Sequence, residues 1–261
     1  MLERVPVLER DLDDYRGVVG DETVARLRSL AAPLRDLRVV HINATAYGGG
    51  VAELLATLVP LMLDVGIVAE WQVIHGSDDF FAVTKTVHNA LQGMDVAWTS
   101  AMEATYLERV AANAESLEGV WDVAVVHDPQ PAALFALLAK AGRDPRSIAR
   151  HWIWRCHIDL TTANQAVWDF YRPYVECHDA SIWTLPQFIP ASLSMDRVVT
   201  FPPCIDPLSV KNLDLPRPFV DEICGQYGVD PSSPIICHNS RFYIWKDPVG
   251  VIEAFRIVHH E

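Results

Sequence analysis

Three glycines in a row, Gly48, Gly49 and Gly50, lie between a β-branched run and a stretch of helical period. With no side chains on the turn, the N–H groups at the start of that helix can approach an anionic ligand closely. One glycine suffices for a tight turn, so three favour a ligand loop over a bare connection. Two further polar clusters also follow apolar runs directly: His127 to Gln130, and Arg155 to Asp159. A lone histidine at a strand end is more often a satisfied structural residue. Two His/Asp pairs beside a glycine loop, His127 with Asp128 and His157 with Asp159, shift the balance towards a site.

Several chemistries fail on spacing. The third glycine of a dinucleotide fingerprint is replaced by Glu53, and Gly50 is followed by Val51 where a Walker loop needs Lys and Ser or Thr. No G-x-S-x-G elbow is present. His127 with Asp128, or His157 with Asp159, would be half of a metal site, but no further ligands stand at a recognisable spacing. Asp78 and Asp79 read as a solvated turn. A sugar-nucleotide diphosphate, or a sugar resting on the loop, remains open as the ligand. One more cluster, Ser240 to Asp247, carries Arg241 and Lys246 after an apolar run. The residues alone leave them divided between exposed cations and a grip on a diphosphate.

The elements that would position these groups read as α/β. Strands are expected at Arg38 to Ile42 (ending at Asn43 and Ala44), Val68 to Ile74, Trp121 to Val126, His151 to Cys156, Ala180 to Thr184 and Arg197 to Phe201. Helices are expected at Val51 to Leu63, Phe80 to Leu91, Glu103 to Glu115, Ala132 to Ala141 and Gln165 to Val175. The leading segment, Leu2 to Pro33, reads as mostly helical, with Asp21 capping Glu22 to Ala32. This alternation implies a Rossmann-like parallel sheet with helices on both faces, where ligands bind beyond the carboxyl ends of the strands. Prolines 202, 203, 207, 216 and 218 mark a hinge, giving one domain over 1–205 and a second unit over 206–261. That unit reads as the start of an incomplete second α/β domain: helix Pro218 to Tyr227, strand Pro234 to His238, helix Asp247 to His260.

Composition narrows the class. The chain has 261 residues, half of them apolar, and a formal charge of -13, which disfavours binding to nucleic acid. No apolar run is long enough to span a membrane, and Met1 to Gly20 is too charged for a signal peptide. Five cysteines, Cys156, Cys177, Cys204, Cys224 and Cys237, without C-x-x-C spacing suit reduced thiols in a cytoplasmic protein.

The strings TAYGGGVAELL, FFAVTKTVHNALQG, VHDPQPAAL, WRCHIDL, PPCIDPLS and SRF…WKDP together resemble the trehalose-forming glycosyltransferases of retaining glycosyltransferase family 4. The resemblance runs from about Tyr15 to Val258. It implies a two-domain GT-B fold and reversible transfer of glucose from ADP- or UDP-glucose to glucose, giving the α,α-1,1 disaccharide with retention. By position, Gly48, Gly49 and Gly50 match the loop facing donor phosphates and acceptor. His127, His157 and Asp159 match the catalytic rim, and Arg241 with Lys246 matches the diphosphate-binding pair. No metal or other cofactor is implied, and the partners are a sugar and a nucleotide sugar. Tyr243 and Ile244 depart from the family's usual Asp-Pro, and the family's E-x7-E segment would lie beyond Glu261. That leads to the expectation of a C-terminally truncated chain, inactive alone, whose apolar tail orders poorly or drives self-association as a homodimer. The alternative is a non-catalytic sugar- or partner-binding module.

Overall fold

Short β-branched runs joined through crossover helices favour parallel pairing, and among the described residues every strand pair but one is parallel. The computed structural model describes residues 2–240, 242 and 244–260, and the chain falls into two units, Met1–Leu208 and Ser209–Glu261. The first unit begins with β1 (Glu3–Arg4), α1 (Arg16–Val19), α2 (Asp21–Ala31), β2 (Arg38–Asn43), α3 (Gly50–Asp64) and β3 (Val68–Val73). It continues with α4 (Asp78–Leu91), α5 (Ser100–Glu115), β4 (Trp121–His127), α6 (Leu134–Lys140), α7 (Pro145–Ile148) and β5 (Ala149–Arg155). Helix α8 (Gln165–Glu176), β6 (Ala180–Trp183) and β7 (Val198–Thr200) complete it.

The sheet order is β1-β3-β2-β4-β5-β6-β7, with every pair parallel except β1 with β3. Side-chain oxygens start the helices that flank it: Ser77 accepts from Phe80 N, Thr99 from Met102 N and Asn164 from Val167 N. On one face Val40, Ile42, Ala124, Val126, Trp152 and Trp154 pack against α4, α5, α6 and α8. On the other, Ala52, Leu55 and Val59 of α3 close over Ala69, Trp71 and Val73. Helices therefore cover both faces, as the alternation implied. Successive strand residues point to opposite faces, so His41, Asn43, His127 and Arg155 share the α3 side.

Three local expectations need correction. The leading segment is less helical than its charge pattern suggests, because Glu3 and Arg4 pair antiparallel with Val73 and Gln72 at the sheet edge. Gly20, at φ +82°, takes the cap position of α2, and Asp21 is already helical. In the second unit, α9 (Arg217–Gln226) and α10 (Pro248–His260) form. The strand expected over Pro234 to His238 does not, among the described residues. A β-branched run becomes a strand only when a partner takes its N–H and C=O groups. Here Ile235 and Ile236 stay 53% and 72% exposed.

Candidate active site

Strand β2 connects sideways to β3, and the chain then crosses to β4 on the other side of β2. The carboxyl ends of β2 and β4 therefore flank the point where the strand order reverses, which is where open α/β sheets hold ligands. The glycine loop leaves β2 there. His127 ends β4, and His157 lies two residues past β5, the next strand. The three segments singled out by sequence thus occupy one rim of one unit.

The loop is held from below. Asn43 is buried at the end of β2, where its Oδ1 accepts from Trp71 Nε1 at 2.7 Å and its Nδ2 donates to Thr45 O at 2.8 Å. Thr45 Oγ1 in turn donates to Tyr47 O at 2.9 Å. Gly48 has φ +78°, a left-handed conformation that costs a side-chain-bearing residue about 1–2 kcal/mol. Gly49 caps α3 with no side-chain hydrogen bond to the helix's first turn. A Cβ added at Gly48, Gly49 or Gly50 would meet nothing within 4 Å, so the space over the loop is open. An uncapped N-terminus of a 15-residue helix under open space is suited to negative charge or a hydroxyl oxygen.

Beside the loop, three imidazoles form a chain. His41 Nδ1 lies 3.0 Å from His127 Nε2, and His127 Nδ1 lies 3.0 Å from His157 Nε2. His41 and His127 are 5% and 3% exposed, while His157 is half-buried at the rim. Burial disfavours the charged form of each ring. It pushes His41 and His157 down to about 4 and His127 well below its usual value, with the Arg155 charge lowering His127 and His157 further. At neutral pH the rings are uncharged, each with one N–H and one lone pair.

Asp128 and Arg155 frame the chain. Asp128 has φ +63°; its N–H donates to Arg155 O, and its Oδ1 accepts from the backbone N–H of His157 at 2.8 Å. Its carbonyl accepts from Trp154 Nε1 at 3.0 Å, and burial raises its carboxyl to about 7. Buried Arg155 donates to Trp183 O and Phe201 O, tying the ends of β5, β6 and β7 together.

The structure brings together Gly48, Gly49, Gly50, His127 and His157. Asp159 is exposed, and its Oδ1 accepts from Thr161 N at 2.8 Å, closing a turn. Lys246 is exposed at the end of a 3-10 turn, Ile244–Lys246, in the second unit, and Arg241 lies outside the described residues. Sequence reading missed His41 as a member of the site and took Arg155 only as the start of a polar cluster, with no role of its own. Their signal was present: in buried strands, His41 lies in the same alternate row as Asn43, and Arg155 in register with His127.

A family described as trehalose synthase, N-terminal domain, matches residues 41–190. A trehalose synthase of Rubrobacter xylanophilus is 44% identical over 264 residues, covering 100% of this chain and 62% of that protein. A trehalose synthase of Thermococcus litoralis is 44% identical over 249 residues, covering 95% of this chain and 58% of that protein. The chain thus spans about three-fifths of the length of these relatives. Among solved structures, an α,α-trehalose 6-phosphate synthase from Burkholderia multivorans aligns with a TM-score of 0.45 and 13% identity, covering 76% of this chain and 53% of that one.

Proposed function

Because the chain belongs to the trehalose synthase N-terminal domain family, we propose that its first unit is the acceptor side of a retaining glycosyltransferase. The transferase moves glucose reversibly between ADP- or UDP-glucose and a second glucose, forming trehalose. One observation carries the reading: an open, uncapped helix start and a half-buried imidazole meet at the β2/β4 reversal point. Polar donors of that kind in a largely apolar wall orient a hexose through its hydroxyls.

In this reading His157 holds a sugar hydroxyl at the rim, with buried His127 orienting its ring from behind and Asp159 beside them shaping the loop. The α3 N-terminus suits the negative charge or hydroxyl oxygen of a ligand, and Lys246 and Arg241 neutralise the charge of the departing diphosphate. Preorganised donors and cations in a site shielded from water stabilise developing charge without the reorganisation that water would need. No metal is required for that neutralisation, and the enzyme acts in the cytoplasm.

We further propose that the 261 residues by themselves bind sugar without turnover. Support comes from the second unit, where the described residues form two helices and no strand ladder, and Lys246 is exposed to water. Incubating the chain with glucose and either nucleotide sugar, and measuring trehalose by chromatography, tests both statements. Saturable glucose binding with no disaccharide is the expected result. Absence of sugar binding overturns the site assignment and favours a partner-binding module, whereas sustained disaccharide formation overturns the claim of inactivity alone.

A further inference from the structure

The three-imidazole chain can be ordered in only two ways while its rings are neutral. Each N···N contact of 3.0 Å takes one proton, so the ring that donates at one nitrogen must accept at the other. Running outward, His41 Nδ1–H donates to His127 Nε2, His127 Nδ1–H donates to His157 Nε2, and His157 Nδ1 carries an N–H. Running inward, every proton moves to Nε2, and His41 Nε2 becomes a donor.

The two ends of the chain are unlike. His41 Nε2 is buried and has no hydrogen-bond partner. His157 Nδ1 is not among the buried orphan atoms and makes no hydrogen bond to the described residues. An orphaned buried N–H is the arrangement that folded chains tolerate least, so the inward order places a donor where nothing accepts it. The Arg155 charge acts in the other sense, but its guanidinium is turned to the Trp183 and Phe201 carbonyls on the β6–β7 side.

We propose that His41 is a positioning residue that sets the direction of the chain, so that His157 presents an Nδ1–H donor at the rim. All three rings then hold the Nδ1–H tautomer. In the setting proposed above, on which this deepening rests, that donor addresses a lone pair of a hexose hydroxyl. His41 touches no ligand and acts through His127.

Long-range nitrogen–proton correlation spectra of the full chain, labelled at histidine nitrogen, read each tautomer without any sugar present. Single His→Gln variants assign the rings. At neutral pH, His127 and His157 are expected as Nδ1–H by about tenfold over Nε2–H. In His41→Phe the inward order would leave a buried N–H at His127 Nε2 with no acceptor, so the Nδ1–H preference at His127 and His157 should persist. In His41→Asp the carboxylate can only accept, so His127 Nε2 should gain a proton and the Nδ1–H-only state of that ring should be lost. Nε2–H rings in the unsubstituted chain, or a His127 Nε2 that still carries no proton in a folded His41→Asp variant, overturns the proposal. Nδ1–H tautomers that respond to His41 uphold it, whether or not glucose later moves the His157 resonance. That second titration bears only on the sugar reading.

Discussion

Lowering the pH from 7.5 to 5.0 should destabilise the first unit strongly, before carboxylates other than Asp128 are titrated. His41, His157 and His178 are held down to about 4 by burial, against about 6.5 when unfolded. The unfolded chain therefore binds more protons between pH 6.5 and 4, and stability falls as pH falls through that window. Each ring loses about 2 kcal/mol between pH 7.5 and 5.0, or roughly 6 kcal/mol for the three. His127, pushed well below its usual value, adds to the loss. Asp128 opposes it: with its carboxyl raised to about 7, the folded state binds the extra proton and regains about 2.5 kcal/mol. The net loss is about 4 kcal/mol or more, a large fraction of an ordinary domain's stability. Denaturant titrations at the two pH values, followed by the fluorescence of buried Trp152, Trp154, Trp168 and Trp183, report on the first unit. An unchanged midpoint at constant slope would refute the claim that these rings are held neutral by burial.

Other substitutions separate the scaffold from the site. Arg155→Met should cost about 2–3 kcal/mol by removing the charged hydrogen bonds to the Trp183 and Phe201 carbonyls at the β5–β6–β7 edge, read as a lower denaturation midpoint. Gly50→Val, at the first helical position, meets open space, so melting should change little while glucose or nucleotide-sugar binding weakens at least tenfold. Gly48→Ala should instead lower stability by about 1 kcal/mol, because its φ of +78° disfavours a Cβ. Lys246→Ala should weaken ADP- or UDP-glucose binding and leave free glucose binding unchanged, as two calorimetric titrations would show.

Much of the fold was legible because buried parallel strands are short, β-branched and bounded by polar residues. The runs ending at Asn43, His127 and Arg155 carried those marks, and the rule that ligands gather at strand carboxyl ends led to the rim. His41 was harder to see: a polar residue inside a strand is read by default as tolerated, and its role depends on a ring 86 residues away. Asp159 shows the opposite limit. Past the end of a strand no periodicity dictates direction, and the carboxylate turns to the nearby Thr161 N–H. The Pro234 to His238 run failed as a strand for a third reason, since composition reports the capacity to pair and not the presence of a partner.

A crystal of the chain grown with glucose puts the central claim most directly at risk. The account predicts a hexose at the β2/β4 end of the sheet, with one hydroxyl within hydrogen-bond reach of His157 Nδ1 and another facing the first turn of α3. A hexose seated elsewhere, or an empty rim at saturating glucose, would contradict it.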